Sequence, residues 1–272
     1  MQRSLYAVGA AVILGGATLA APASAAEAPT TASLSVLHGV PDLTVDVYVN
    51  GALTLDDFAP GELAGPLELP AGNYQLAVTA SDAPDASAAV IGPVDVTLAA
   101  GGNYTATANL DAGGNPTANF FTNDVSAVEA GKSRLTVRHV AAAPAVDVLA
   151  GGAAVVQNLS NPAEATLTTD AGTVSAAVAA TGTTEPVIGP ADLNLAEGTS
   201  TIVYAWGSLE AGNLALATQV IEGLHSAPGA VPGGQSGLAA EDDNAAALGL
   251  GAFLVVLLGG AVAASRRRAV RS

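Results

Sequence analysis

The chain has 272 residues, half of them apolar, with 24 acidic side chains, eight basic ones and no cysteine. An acidic excess of this size repels phosphate backbones and anionic headgroups, which excludes nucleic-acid binding. Without cysteine there are no disulfides, thiol nucleophiles or thiolate metal sites, so packing alone must stabilise whatever domains form.

Taken in order, the chain opens with Arg3, an apolar run over 5–20 and the small residues Ala23, Ser24 and Ala25. That pattern predicts a secretory signal peptide over 1–25. A first unit spans 33–124. Within it Val45, Val47 and Val49 alternate with Asp46 and Tyr48, Tyr74, Leu76 and Val78 with Gln75 and Ala77, and Val94, Val96 and Leu98 with Asp95 and Thr97. A period of two is that of half-buried strands. Asn50-Gly51, Gly72-Asn73, Gly101-Gly102-Asn103 and Gly113-Gly114-Asn115-Pro116 supply turns between them. Seven or eight strands at this spacing predict a two-sheet sandwich.

After a short connection over 125–132 the pattern returns. Leu34, Val36 and His38 with Val45-Asp46-Val47 recur as Leu135, Val137 and His139 with Val146-Asp147-Val148, displaced by 101 positions. Val90-Ile91-Gly92-Pro93 recurs as Val187-Ile188-Gly189-Pro190, displaced by 97. A second sandwich is therefore expected over 133–222, and two copies make a pair of domains rather than a solenoid.

The segment 223–244 turns to Pro, Gly, Ser and Ala with Glu241, Asp242 and Asp243 at its end, and reads as a flexible stalk reaching ~26 Å. The uncharged run 245–265 follows. At about 1.5 Å per residue it reaches ~31 Å, enough to cross a bilayer core. The tail 266–272 holds Arg266, Arg267, Arg268 and Arg271, which places the C-terminus in the cytoplasm. The expectation is an exported, single-pass plasma-membrane protein with its N-terminus outside. The alternative is sortase-type attachment to the cell wall, although Val231-Pro232-Gly233-Gly234 lacks the Thr-Gly bond of such signals.

His38 with Asp46, repeated as His139 with Asp147, is the best candidate for chemistry. On a strand His38 shares parity with Leu34 and Val36, so its ring points toward the core, and Asp46 lies opposite Val45 and Val47. One reading is a base oriented by a carboxylate, which also needs a nucleophile or substrate. The other is a buried imidazole bonded to a carboxylate or carbonyl that fixes a turn. One such His per unit and no Cys make zinc a poor fit. For calcium, Asp42 with Asp46, Asp56 with Asp57, and Asp82 with Asp85 offer oxygens but none has the spacing of a dedicated loop. Tyr204 and Trp206 share a strand face with Ile202 and are expected in the core. No nucleophile elbow, P-loop or dinucleotide fingerprint is present, so no enzyme is expected.

The run Leu34-Ser35-Val36-Leu37-His38, then Pro41-Asp42, 45–51, Leu69-Pro70-Ala71-Gly72-Asn73-Tyr74 and 98–105 resembles the DUF4397 family of bacterial exported proteins. The second unit keeps His139, Val146-Asp147-Val148 and Ala171-Gly172 but has Ala142-Ala143 and Thr201 where the first has Pro41-Asp42 and Tyr104. The resemblance implies a β-sandwich module at bacterial surfaces and no known activity. The expected fold is all-β: two tandem immunoglobulin-like or transthyretin-like sandwiches plus a C-terminal transmembrane helix. The expected role is non-enzymatic, with the modules displayed for structural, adhesive or partner-binding work toward a cell-envelope component or surface protein. A metal- or small-ligand-dependent sensor or enzyme using His38, Asp46, His139 and Asp147 is the alternative.

Overall fold

The computed structural model describes residues 28–226. The expected signal peptide, most of the stalk, the membrane span at 245–265 and the basic tail lie outside the described residues. Among the described residues no helix is long and apolar enough to cross a membrane.

The period-two segments form strands throughout. The first set is β1 (Thr31–Gly39), β2 (Val45–Val49), β3 (Ala52–Phe58), β4 (Leu63–Pro70), β5 (Gly72–Ala80), β6 (Ile91–Leu98), β7 (Asn103–Leu110) and β8 (Pro116–Thr122). The second is β9 (Lys132–His139), β10 (Val146–Ala150), β11 (Ala153–Leu159), β12 (Glu164–Asp170), β13 (Gly172–Ala180), β14 (Pro186–Leu195), β15 (Ser200–Trp206) and β16 (Ala215–Ile221). The first set makes two four-stranded sheets, β4-β1-β7-β8 and β3-β2-β5-β6, and the second repeats that order as β12-β9-β15-β16 and β11-β10-β13-β14. β1 runs parallel to β7, and β9 to β15; the other pairings are antiparallel. The expected all-β sandwich is present, but its order is not the immunoglobulin one, in which the first strand pairs with the second.

Turn chemistry accounts for the hairpins. Asn50 and Gly51 both take positive φ, 51° and 78°, between β2 and β3, and Gly151 and Gly152 do the same between β10 and β11. This is the geometry that matches strand twist, and it suits Asn and Gly. The repeated Gly-Pro marks a break in register. Gly92 and Gly189 have φ of 89° and 88°, and a Cβ there would meet the Leu76 and Ala176 carbonyl oxygens at 2.7 and 2.9 Å.

Inward-facing residues of both sheets form each core. In the first sandwich Val36 and Ala108 meet Val47, Val78 and Ile91 at one end, while Leu34 and Ala106 meet Leu76 and Val96 at the other. In the second, Leu135, Val137 and Val203 meet Val148, Val178 and Leu195. The opposite faces of β1-β7 and β9-β15 are covered as well: Leu37 of the first sandwich clusters with Val140, Ile202 and Tyr204 of the second. The sheets β4-β1-β7-β8 and β12-β9-β15-β16 therefore pack against each other, giving four stacked layers.

The connections join this body. Val128 is buried, and its N–H donates to Leu224 O at 2.6 Å. The N–H of Ser226 returns to Val128 O at 3.1 Å. The first residues of the expected stalk are thus bound to the two-sandwich body.

Candidate functional site

The two histidines occupy equivalent places at the ends of β1 and β9, where strand parity turns their rings inward. His38 is 0% exposed and His139 1%. His38 Nε2 lies 2.6 Å from Leu43 O, and His139 Nε2 lies 3.0 Å from Pro144 O. A carbonyl only accepts, so Nε2 carries the proton and Nδ1 is left as an acceptor. In His139 that acceptor receives the Ala141 N–H at 3.3 Å. In His38 it has no partner, and the ring lies against Phe58 with centroids 5.8 Å apart. Burial pushes both imidazoles below their ordinary 6.5, against the raising effect of the Leu43 and Pro144 carbonyls.

Neither histidine bonds to its aspartate. Asp46 and Asp147 sit on the outer sheets, on the strand face turned away from the core. Asp46 Oδ1 accepts the Asp57 N–H at 3.0 Å, and Asp147 Oδ1 accepts the Asn158 N–H at 2.8 Å. Asp147 Oδ2 also accepts the Gly182 N–H at 2.9 Å. Those N–H groups of Asn158 and Gly182 hold the Asp147 carboxyl below the usual carboxylate range. Each aspartate thus ties a bend at a residue of positive φ, 51° at Asp57 and 56° at Asn158. The His side chain fixes the β1–β2 or β9–β10 connection, and the Asp fixes the bend in the next strand. Of the two readings of the pair, the geometry is that of the imidazole bonded to a carbonyl that fixes a turn, not of a base oriented by its aspartate.

Of the acidic groups considered for calcium, Asp46, Asp56 and Asp57 come together, with carboxylate oxygens within 4.8 Å of one another. Only Asp46 is buried. The same bend in the second sandwich carries Gln157 and Asn158, so its shape needs an αL-tolerant residue rather than a cation. Asp42 lies elsewhere, accepting from Asn213 Nδ2 at 3.4 Å. Asp85 caps the short 3-10 turn Ala86–Ala88 through Ser87 N–H at 2.8 Å.

Tyr204 and Ile202 are buried, but against the other sandwich rather than in their own core. Arg138, 1% exposed, donates from Nη1 to Tyr204 Oη at 2.8 Å and from Nε to Glu164 Oε2 at 2.7 Å, and its guanidinium lies 4.3 Å from the Phe121 ring centroid. Tyr204 Oη and Thr105 Oγ1 donate to Gln219 Oε1 at 2.6 and 2.9 Å, and Gln219 Nε2 donates to Ser35 Oγ at 3.1 Å. Burial raises the Tyr204 phenol above its usual range, keeping it a donor. Trp206 lies over Gly61, where a Cβ would meet Cζ2 at 2.7 Å. Sequence reasoning missed this network because Ser35, Thr105 and Gln219 occupy strand positions that read as solvent-facing. The available signal was Arg138, a cation flanked by strand residues in a region whose only other Lys or Arg residues are Lys132 and Arg134.

All three basic residues of the described region pair with carboxylates: Lys132 with Asp170 at 2.6 Å, Arg134 with Asp124 at 3.2 Å and Arg138 with Glu164. The fold and these fixtures define a class, an all-β protein of two stacked sandwiches whose recurrent His and Asp fasten backbone. Residues 32–149 match the family model described as a domain of unknown function, DUF4397. Over that segment the match agrees with the resemblance to DUF4397 carried by the residues around His38. The match runs from β1 into β10, covering the first sandwich and the opening strands of the second. No curated protein matches the chain.

Proposed function

We propose that this is a non-enzymatic cell-surface protein that presents two duplicated, transthyretin-like sandwiches as one packed head outside a bacterial membrane. The observation that carries this reading is the use made of the recurrent polar residues. His38 and His139 are bonded to carbonyls and Asp46 and Asp147 to backbone N–H groups, and none of these bonds joins a nucleophile to a base. The address rests on the sequence features at 1–25, 245–265 and 266–272, and the duplication on the shared strand order. The strand order, with β1 beside both β4 and β7, supports the transthyretin-like alternative over the immunoglobulin one. The partner is a cell-envelope component or surface protein.

The address is tested by the intact mass of the protein released from cells. A C-terminus at Ser272 with residues 1–25 removed is expected; a cut near Gly233 with attached peptidoglycan replaces the membrane anchor with wall attachment. The non-enzymatic reading is tested by replacing both histidines with Gln. Loss of stability without loss of any binding activity agrees with fasteners, whereas a stable fold that no longer binds a metal or small ligand supports a sensor or enzyme.

A further inference from the structure

The first sandwich has a cavity of about 200 Å³ between its sheets, on the side where β6 and β8 form free edges. Leu76, Val94, Val96, Ala106, Ala118 and Phe120 form much of its wall. Thr107 and Asn119 border it too, but their side chains turn to the far face of the sheet, where both donate to Asn109 Oδ1, at 2.8 and 2.9 Å. The remaining wall is aliphatic. Val94, Ala118 and Phe120 are only half-buried, so the cavity reaches the surface along the β6–β8 side.

The corresponding space in the second sandwich is about 20 Å³. Strand registers show how the two linings differ. Val36 pairs with Ala106 and its counterpart Val137 with Val203; Ala108 pairs with Ala118 and its counterpart Ala205 with Leu216. Valine and leucine thus stand in the second sandwich where the first has two alanines, while Ala176, Ala191 and Thr218 stand where the first has Leu76, Val94 and Phe120. The same strand order closes around a filled core there, so the fold does not require the cavity.

We propose that the first sandwich binds a small uncharged apolar molecule in this cavity, an aromatic or aliphatic group of about six to ten heavy atoms. Apolar cavities of ~150 Å³ stay dry and accept benzene, and here no polar side chain points inward to hold water. The wall has no cation to receive a carboxylate or phosphate, and the acidic surface repels such anions. The inference does not depend on where the chain is displayed.

The test is a titration of the full-length chain with benzene, followed through the methyl resonances of its Val and Leu side chains. Saturable shifts are expected at Val36, Val47, Leu76 and Val78 and not at Val137, Val148 and Val178. The A106V/A118L variant, which carries the second sandwich's residues, should weaken binding at least tenfold. Should that pair misfold, Ala118→Leu alone at the half-buried rim reads the same effect. Shifts that are absent, equal in the two sandwiches, or undiminished in the folded variant overturn the proposal.

Discussion

The two sandwiches share their strand order, their hairpin geometry and the bonds of His38 and His139, of Asp46 and Asp147, yet the faces by which they meet differ at every central position. Ser35, Leu37, Thr105, Thr107 and Asn109 of the first sandwich stand where the second has Thr136, Arg138, Ile202, Tyr204 and Trp206. The first face is small and mostly polar; the second is large. Several residues turned to their own cores stay alike, among them Val36 and Val137, Val47 and Val148, and Val78 and Val178. Residues at the contact must complement each other, and an arginine in place of Leu37 would set a cation among Val140, Ile202 and Tyr204. A contact between unlike faces has no such constraint.

The largest test of that division puts the first sandwich's residue into the second. Arg138→Leu removes a buried cation with its bond to Tyr204, its contact with the Phe121 ring and its pairing with exposed Glu164, and should lower unfolding free energy by about 3 kcal/mol in denaturant titration. An unchanged midpoint would mean the two faces are interchangeable. Trp206, the chain's single tryptophan, lies at the contact, so its emission reports separation of the sandwiches directly. In the parent protein that signal and far-UV circular dichroism should change together.

Gln219→Leu is next, at about 2 kcal/mol. It leaves Thr105, Tyr204 and Ser35 without their common partner, and its effect should appear in both the fluorescence and the circular dichroism midpoints. A shift in one probe alone would show that the sandwiches unfold separately.

A smaller effect concerns what the sandwiches have in common. Burial holds both imidazoles below 6.5 in the folded chain, so as pH falls through 6.5 the unfolded chain takes up protons first. The stability from the neutral histidines is therefore complete above that pH and declines toward their folded pKa. The Glu62 carboxylate near His38 opposes the shift there. Between pH 7.5 and 5 unfolding free energy should drop, and His38→Gln with His139→Gln should flatten the drop. An equal slope in parent and double variant removes the histidines as its source.

The smallest difference separates the two aspartates. Asp147 accepts from two backbone groups and Asp46 from one, so Asp147→Asn should lower the thermal midpoint more than Asp46→Asn. The reverse order would mean that the Asp46, Asp56 and Asp57 cluster contributes more than the bend it shapes.

Strand parity, turn residues and the offset repeats make much of each sandwich legible in the sequence. The inward turn of His38 follows from its place two residues after Val36, and the turn at Asn50-Gly51 from the positive φ those residues accept. The recurrence of His38 with Asp46 as His139 with Asp147 suggests a His–Asp pairing. It fails in space because the two side chains leave different strands on different sheets. Tyr204 was read as a core residue from its aromatic surface and its place beside Ile202; burial was the right inference, but parity cannot say which body covers a face.

That limit separates what the chain specified locally from what tertiary structure decided. Hydrophobic period and turn chemistry act over a few residues, so the sequence by itself determined the strands, their hairpins and the twofold recurrence of the pattern. Which sheet edge lies beside which, which polar face is buried, and where a void remains depend on contacts between residues such as Ser35 and Gln219, far apart along the chain. Exchanges on opposed strands, such as Ala106 for Val203 and Phe120 for Thr218, accompany the difference between the open first core and the filled second one, and those side chains meet only after the sheets have stacked.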